Sequence, residues 1–379
     1  MKVIIASDSY KSCMTSKQAN NIIADAIHEV DPQATTVSYT IGDGGEGTCA
    51  AFVDAANGRY VDIEVRDAYF RRIVAQYGLV DDDQVAVIEV SSCIGIQHYP
   101  RERRHPLYAT SYGVGEMLLD AKKRGVKKII LTLGGSATND GGMGMLQALG
   151  VKFYDKNRTY LKSNAQSLKS IAYIDTKQLT SFTGIELIAA CDVENTLLGE
   201  FGATRMFGKQ KGLYKNQIYK VEEGMRNYAK QFANHGIVLD NLVGGGAAGG
   251  IGAALQAVLH ARLQSGFSSL LAYMDIEKQL QDSDLLITGE GQSDKQTWFG
   301  KVPVALIEVA NKYNVPTVCI SGALGVEYKK LYDKGFIGIY SIADRAMSFE
   351  QAIQSAPEKL AACAYTVFKT IYEMKERKK

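Results

Sequence analysis

The sequence predicts an α/β protein made of two α/β domains, one of them discontinuous, and three observations carry that expectation. Short β-branched runs alternate with helix-length amphipathic stretches from the N-terminus onward. The beginning and the end of the chain share this parallel α/β texture, whereas the middle mixes antiparallel strands with helices. At 379 residues the chain also has room for more than one domain. The expected division puts residues 1–66 and 283–379 in a discontinuous domain with a parallel, Rossmann-like sheet. Residues 67–282 form the inserted mixed α/β domain.

Taken in order, 3–6 reads as a buried strand and 16–30 as a helix. A second strand covers 36–41, and a helix follows from about 46 to 56. The runs 60–65, 73–79 and 84–90 are strands joined by short polar turns, the mark of an antiparallel piece. A helix over 111–124 precedes Gly125, suited to the residue just past a helix end. Strands are expected at 128–133 and 185–190, and helices at 143–149, 217–234 and 251–262. The last hundred residues alternate strand 284–288, helix 303–313, strand 317–321, strand 338–342 and helix 349–373, with Pro303 in a first-turn position.

Composition narrows the function. The 43 basic and 41 acidic residues nearly cancel, so no basic stripe points to nucleic acid or an anionic membrane. No window approaches the ~18 consecutive apolar residues of a membrane span. The first residues turn charged too soon for a signal-peptide core, which makes the cytoplasm the expected compartment. Six cysteines, widely scattered and without CxxC, read as reduced thiols.

Glycine supplies 37 residues, above the usual ~7%, and these gather in four turns. Residues 42, 44 and 47 of Gly42-Asp43-Gly44-Gly45-Glu46-Gly47 satisfy GxGxxG, but Asp43 and Glu46 would repel a dinucleotide pyrophosphate. A Mg²⁺-phosphate or a polyhydroxy substrate suits the turn better, and a plain strand-to-helix turn stays open. Gly134-Gly135-Ser136-Ala137-Thr138-Asn139-Asp140-Gly141-Gly142 follows an apolar strand and precedes a helix, presenting amides and hydroxyls to an anion. Asp140 is a candidate metal ligand or base there, and the competing reading is a capped helix start at Thr138 or Asn139. The third turn, 244–252, whose Gly244, Gly246 and Gly249 form a second GxGxxG, has no ionisable side chain. It either cradles phosphate by backbone or lets two helices pack closely. The fourth, Thr288-Gly289-Glu290-Gly291-Gln292-Ser293-Asp294, ends a parallel strand, where open α/β sheets place ligands. Gly300-Lys301 lacks the rest of a Walker motif.

Asp8-Ser9-Tyr10-Lys11 and Cys191-Asp192 add further charged groups at strand exits. No G-x-S-x-G elbow or HExxH site is present, and the five histidines lie outside the glycine turns. Phosphate-cradling turns, strand-end carboxylates for Mg²⁺ and a base, and isolated lysines together describe phosphoryl transfer, which needs positioning and charge neutralisation above all. A nicotinamide-dependent oxidoreductase, resting on the formal GxGxxG matches, and a two-domain small-molecule binding protein are the rival readings.

The ordered set 8–11, 43–48, Ser111-Tyr112-Gly113-Val114-Gly115, 134–142, 191–193, Phe207-Gly208-Lys209-Gln210-Lys211-Gly212, 287–291 and 300–303 resembles the bacterial glycerate kinase family over essentially the whole chain. The resemblance implies ATP- and Mg²⁺-dependent phosphorylation of D-glycerate, mostly at the 2-hydroxyl. The alternatives are 3-phosphorylation and another small hydroxy acid. It also implies two α/β domains with the active site in the cleft between them. On that footing Asp192 is the expected base, with Asp140 second, and Lys11 neutralises a carboxylate or a phosphoryl oxygen. Asp8, Ser9, Asp43, Gly44, Gly45 and Glu46 are expected at the substrate, and Asp43, Glu290 and Asp294 at the metal. Gly134, Gly135, Ser136, Thr138, Asn139, Gly289 and Lys301 are expected at the nucleotide. Partners are then small molecules alone, with the chain a monomer or a homodimer.

Overall fold

The computed structural model describes residues 1–10, 13–42, 44–45, 47–299 and 301–377. Its strands are β1 (Lys2–Ser7), β2 (Thr35–Ser38), β3 (Arg59–Arg66), β4 (Arg72–Val80), β5 (Val85–Glu89), β6 (Lys128–Thr132) and β7 (Lys152–Tyr154). They continue as β8 (Tyr173–Asp175), β9 (Glu186–Ala190), β10 (Arg262–Gln264), β11 (Leu285–Ser293), β12 (Thr317–Leu324) and β13 (Gly338–Ser341). The chain divides into two compact units, Met1–Asp43 with Phe267–Lys379, and Gly44–Gly266.

The first unit is a five-stranded, all-parallel sheet in the order β13-β12-β11-β1-β2. Its central strands β1, β11 and β12 begin as buried apolar runs because both faces are covered there. Val3, Ile5, Leu285, Ile287, Val318 and Ile320 point to one face, under the helices Ser16–Val30 and Phe349–Glu376. Ile4 and Leu286, one residue out of phase, point to the other face under the helix Val302–Lys312. The helix Ser16–Val30 begins at a capping box, Thr15 accepting from the Gln18 amide, and the helix Phe349–Glu376 begins likewise at Ser348.

The second unit holds a six-stranded mixed sheet in the order β10-β9-β6-β5-β4-β3. β3, β4 and β5 form an antiparallel meander, and β5, β6, β9 and β10 run parallel. Its core centres on Phe153, Tyr228 and Phe232, all fully buried, with Tyr228 and Phe232 meeting edge to face at 5.0 Å.

Two expectations are corrected by this geometry. The expected domain boundaries, 66 and 283, move to 43/44 and 266/267. β3 belongs with the middle of the chain because it pairs with β4 along its full length, from Arg59↔Leu79 to Arg66↔Arg72. Residues 267–282 join the first unit, where Ile276 and Leu280 pack beside Leu286 and Leu306. The turn expected at 288–294 is instead the second half of β11, which stays hydrogen-bonded to β12 as far as Ser293↔Leu324. The β7–β8 hairpin and the helix Ala203–Lys211 had no sequence expectation.

Candidate active site

Within the second unit, register places Glu89, Thr132 and Ala190 side by side at the carboxyl ends of β5, β6 and β9. The turns that leave these strands gather there. The Gly134 amide donates to the Gly44 carbonyl at 3.0 Å. A Cβ on Gly134 would stand 2.4 Å from the Gly45 Cα, so only glycine permits this approach. The Gly44 backbone in turn passes over the Ala190 carbonyl. Gly44, Gly45 and Gly134 are thus brought together. Lys11, Asp43 and Glu46 lie outside the described residues.

The turn 134–139 is held from several sides. Ile96 donates to the Gly135 carbonyl at 2.7 Å and Ala137 to the Ile94 carbonyl at 2.8 Å. From below, the Lys211 ammonium donates to Ser136 Oγ at 2.9 Å and to the Thr138 carbonyl at 2.7 Å. Asn139 donates to Thr204 Oγ1 at 2.9 Å, while Thr138 Oγ1 and Asn139 Oδ1 are buried without a partner. The glycine turn 244–252 packs underneath: Gly141 donates to the Gly249 carbonyl, and a Cβ on Gly249 would come within 2.1 Å of the Thr138 carbonyl oxygen. The structure displays close packing here, but of this turn on the backbone of 138–141 and not of two helices as expected.

Asp140 and Asp192 differ sharply. Asp140 is fully buried, its carboxylate accepting from Ser111 N and Oγ, Gly142 N and Gly144 N. Burial pushes its carboxyl upward against those hydrogen bonds. Its oxygens face the backbone that starts the next helix, in the manner of a cap. Asp192 follows β9 and is exposed, with the Gly266 amide donating to one of its oxygens at 3.3 Å.

Glu89 is a residue that sequence reasoning missed. It is buried at the end of β5 and accepts from the Gly47 and Cys49 amides at 3.2 Å and from Ser91 Oγ at 2.7 Å. It ties down the start of the helix Thr48–Ala55, whose first amides lack intrahelical partners. The signal was available: an acidic residue ending the apolar run Val85–Ile88, the same criterion that singled out Asp192.

The first unit carries its own cluster, level with the carboxyl ends of β1 and β13. Ser7 pairs with Gly289, and Glu290 with Ser321. Asp8 is buried just after β1, with the Ser9 amide donating to its carboxylate at 2.6 Å. Gly289 is spaced tightly: a Cβ there would stand 2.1 Å from the Ile320 carbonyl oxygen. Glu290 is buried, accepting from Ser293 Oγ at 2.8 Å and Thr297 Oγ1 at 2.7 Å, with the Lys301 ammonium 3.7 Å away. Burial drives its carboxyl upward and the charge of Asp294 adds to this, while Thr297, Lys301 and Ser293 oppose it. Two carboxylates in one neighbourhood suit a divalent cation, which would relieve both. Among the described residues no three His, Cys, Asp or Glu side chains group as a metal cage. Magnesium commonly takes only one or two carboxylates and completes its shell with phosphate and water.

Strand-end turns rich in amides and hydroxyls, paired with carboxylates and lysines, define an α/β phosphotransferase. The model of the glycerate kinase family matches residues 3–372, and the chain belongs to that family. It is 39% identical to a glycerate kinase of Bacillus cereus over 371 residues, 97% of either chain. It is 36% identical to the glycerate 2-kinase of Escherichia coli over 374 residues, 98% of each. A crystal structure from Salmonella typhimurium LT2, solved under the name glycerate kinase 2, superposes with a TM-score of 0.82 at 36% identity and covers 99% of both chains. The oxidoreductase reading falls with this membership, and its second GxGxxG match, 244–249, is the packing turn described above. No helix among the described residues is long and apolar enough to cross a membrane.

Proposed function

We propose that the protein transfers the γ-phosphoryl group of ATP to D-glycerate at the 2-hydroxyl, giving 2-phosphoglycerate and ADP. The observation that carries this reading is the turn 134–139, a run of small residues at a strand exit, pinned on both sides and underlain by an ammonium. Such a turn receives phosphate oxygens without a Walker sequence. Kinship with the Escherichia coli glycerate 2-kinase supports the 2-hydroxyl as acceptor.

In this reading Gly134, Gly135, Ser136, Thr138 and Asn139 take the nucleotide phosphates, with Gly289 and Lys301 also serving the nucleotide. Asp192, exposed and therefore reachable by substrate, receives the proton of the attacking hydroxyl. Asp140 holds the turn in shape. Asp8, Ser9, Gly44, Gly45 and the undescribed Lys11, Asp43 and Glu46 serve the glycerate carboxylate and hydroxyls. Glu290 and Asp294, with Asp43, would hold Mg²⁺, which supplies charge neutralisation on the phosphates when bound. The protein is expected to act in the cytoplasm on small molecules, as a monomer or a homodimer.

Incubation with ATP, Mg²⁺ and D-glycerate, followed by phosphorus NMR, tests donor, acceptor and position together. A doublet from phosphate on the secondary carbon is the expected product signal. A triplet from phosphate on the primary carbon would move the assignment to the 3-hydroxyl, and no ATP consumption would remove it.

A further inference from the structure

Lys211 is the last residue of the helix Ala203–Lys211 and is 4% exposed. Among the described residues no carboxylate lies within 4 Å of its ammonium to form an ion pair. An ammonium withdrawn from water without a contacting counter-ion is costly, so its position calls for a compensating gain. Two groups ease it. The helix C-terminus directs its partial negative charge toward the last turn, and Asp140 supports the charge through space without touching it. Both hydrogen bonds it makes go to the turn 134–139, to Ser136 Oγ and the Thr138 carbonyl.

The bond to Ser136 has a directional consequence. A hydroxyl has one donor hydrogen and two acceptor lone pairs. With an ammonium donating to its oxygen, that hydrogen must point away from Lys211. Among the described residues it meets no acceptor. Ser136 is therefore arranged as a donor awaiting an anion, and the adjacent positive charge strengthens the bond it can give. The sequence marked 207–212 only as part of a family pattern.

We propose that Lys211 is a positioning residue for nucleotide binding, which orients the Ser136 hydroxyl toward a phosphate oxygen and fixes the turn beneath it. The proposal rests on the reading of 134–139 as the phosphate turn. It separates Lys211 from the lysines expected to touch substrate, since its ammonium is spent on the protein itself.

The test compares Lys211→Met, which keeps length and apolar packing, with Ser136→Ala and the double variant. ATP and glycerate kinetics are measured for each, together with melting temperature. Lys211→Met is expected to raise KM for ATP roughly tenfold or more, the scale of a charge-assisted hydrogen bond, with KM for glycerate within about twofold of the parent. Ser136→Ala is expected to act in the same direction. The double variant should be no worse than Lys211→Met alone, because the two act as one unit. A folded Lys211→Met with unchanged KM for ATP, or additive losses in the double variant, overturns the proposal. If Ser136→Ala raises KM while Lys211→Met does not, the phosphate turn stands and only the role of Lys211 fails. If neither moves it, the phosphate reading fails as well. Should Lys211→Met not fold, Lys211→Gln, which removes the charge but keeps a polar group, is read by the same criteria: an unchanged KM for ATP overturns the proposal and a rise of roughly tenfold supports it.

Discussion

At Glu290, burial and charge oppose each other, and the outcome is readable in pH. Its carboxyl is shifted upward in the folded protein. Stability from such a group is fully present below the unfolded carboxyl range and is lost as pH rises through the folded value. At pH 7 the ionised form is therefore a net cost. Glu290→Gln keeps an acceptor for Ser293 and Thr297. It is expected to melt no lower than the parent at pH 7, with any advantage shrinking toward pH 4, while phosphoryl transfer falls. Melting curves at the two pH values check the sign, and a lower melting point at pH 7 would contradict it. For Asp192, exposed and at a strand exit, Asp192→Asn is expected to lower kcat by about 10²–10⁴, the range of a lost general base. Its melting temperature should stay near that of the parent. Near-normal turnover in the folded variant would exclude Asp192 as base.

The elements that matter most are turns whose shape is set by neighbours far away in the chain. The 134–139 turn is bracketed by 94–96, by 44–45, by Lys211 and by Gly249, so a change at one contact displaces the others. Gly134→Ala places a methyl where the Gly45 backbone already stands. The expected cost is about 1–3 kcal/mol, as for other overpacked sites, with a raised KM for ATP as the two turns part. Chemical denaturation and steady-state kinetics read the two effects separately. An alanine variant of parental stability would mean the turns yield freely. The helix Ser16–Val30 shows the opposite case. Its cap, its apolar stripe and its boundaries all lie within its own residues, so its bounds were legible beforehand.

On the scale of the molecule, each unit has a hydrophobic core of its own. Phe368 sits in the core of the first, between the sheet and the helix Phe349–Glu376. Phe232 sits in that of the second with Phe153 and Tyr228. Separate cores favour unfolding that departs from a single two-state step. Calorimetry of Phe232→Ala and Phe368→Ala, each expected to cost about 3–5 kcal/mol, should lower different parts of the thermal transition. Equal displacement of one undivided transition by both variants would show that the two cores melt as one.

The sequence by itself determined the α/β class, the positions of nearly every long helix and strand, and where the glycines cluster, because periodicity and punctuation are local properties. The ordered motifs also carried the family. Tertiary structure decided what no local pattern encodes. Pairing with β4 placed β3 in the second unit, since a strand belongs to the sheet that satisfies its backbone. Packing against 138–141 gave the turn 244–252 its use, because close approach depends on the partner's backbone and not on the glycines alone. Burial separated Asp140 from Asp192, two aspartates alike on paper, for a carboxylate's chemistry is set by whether water or fixed amides surround it. Lys211 and Glu89, buried beside turns distant in sequence, take their meaning from neighbours that only the folded chain supplies.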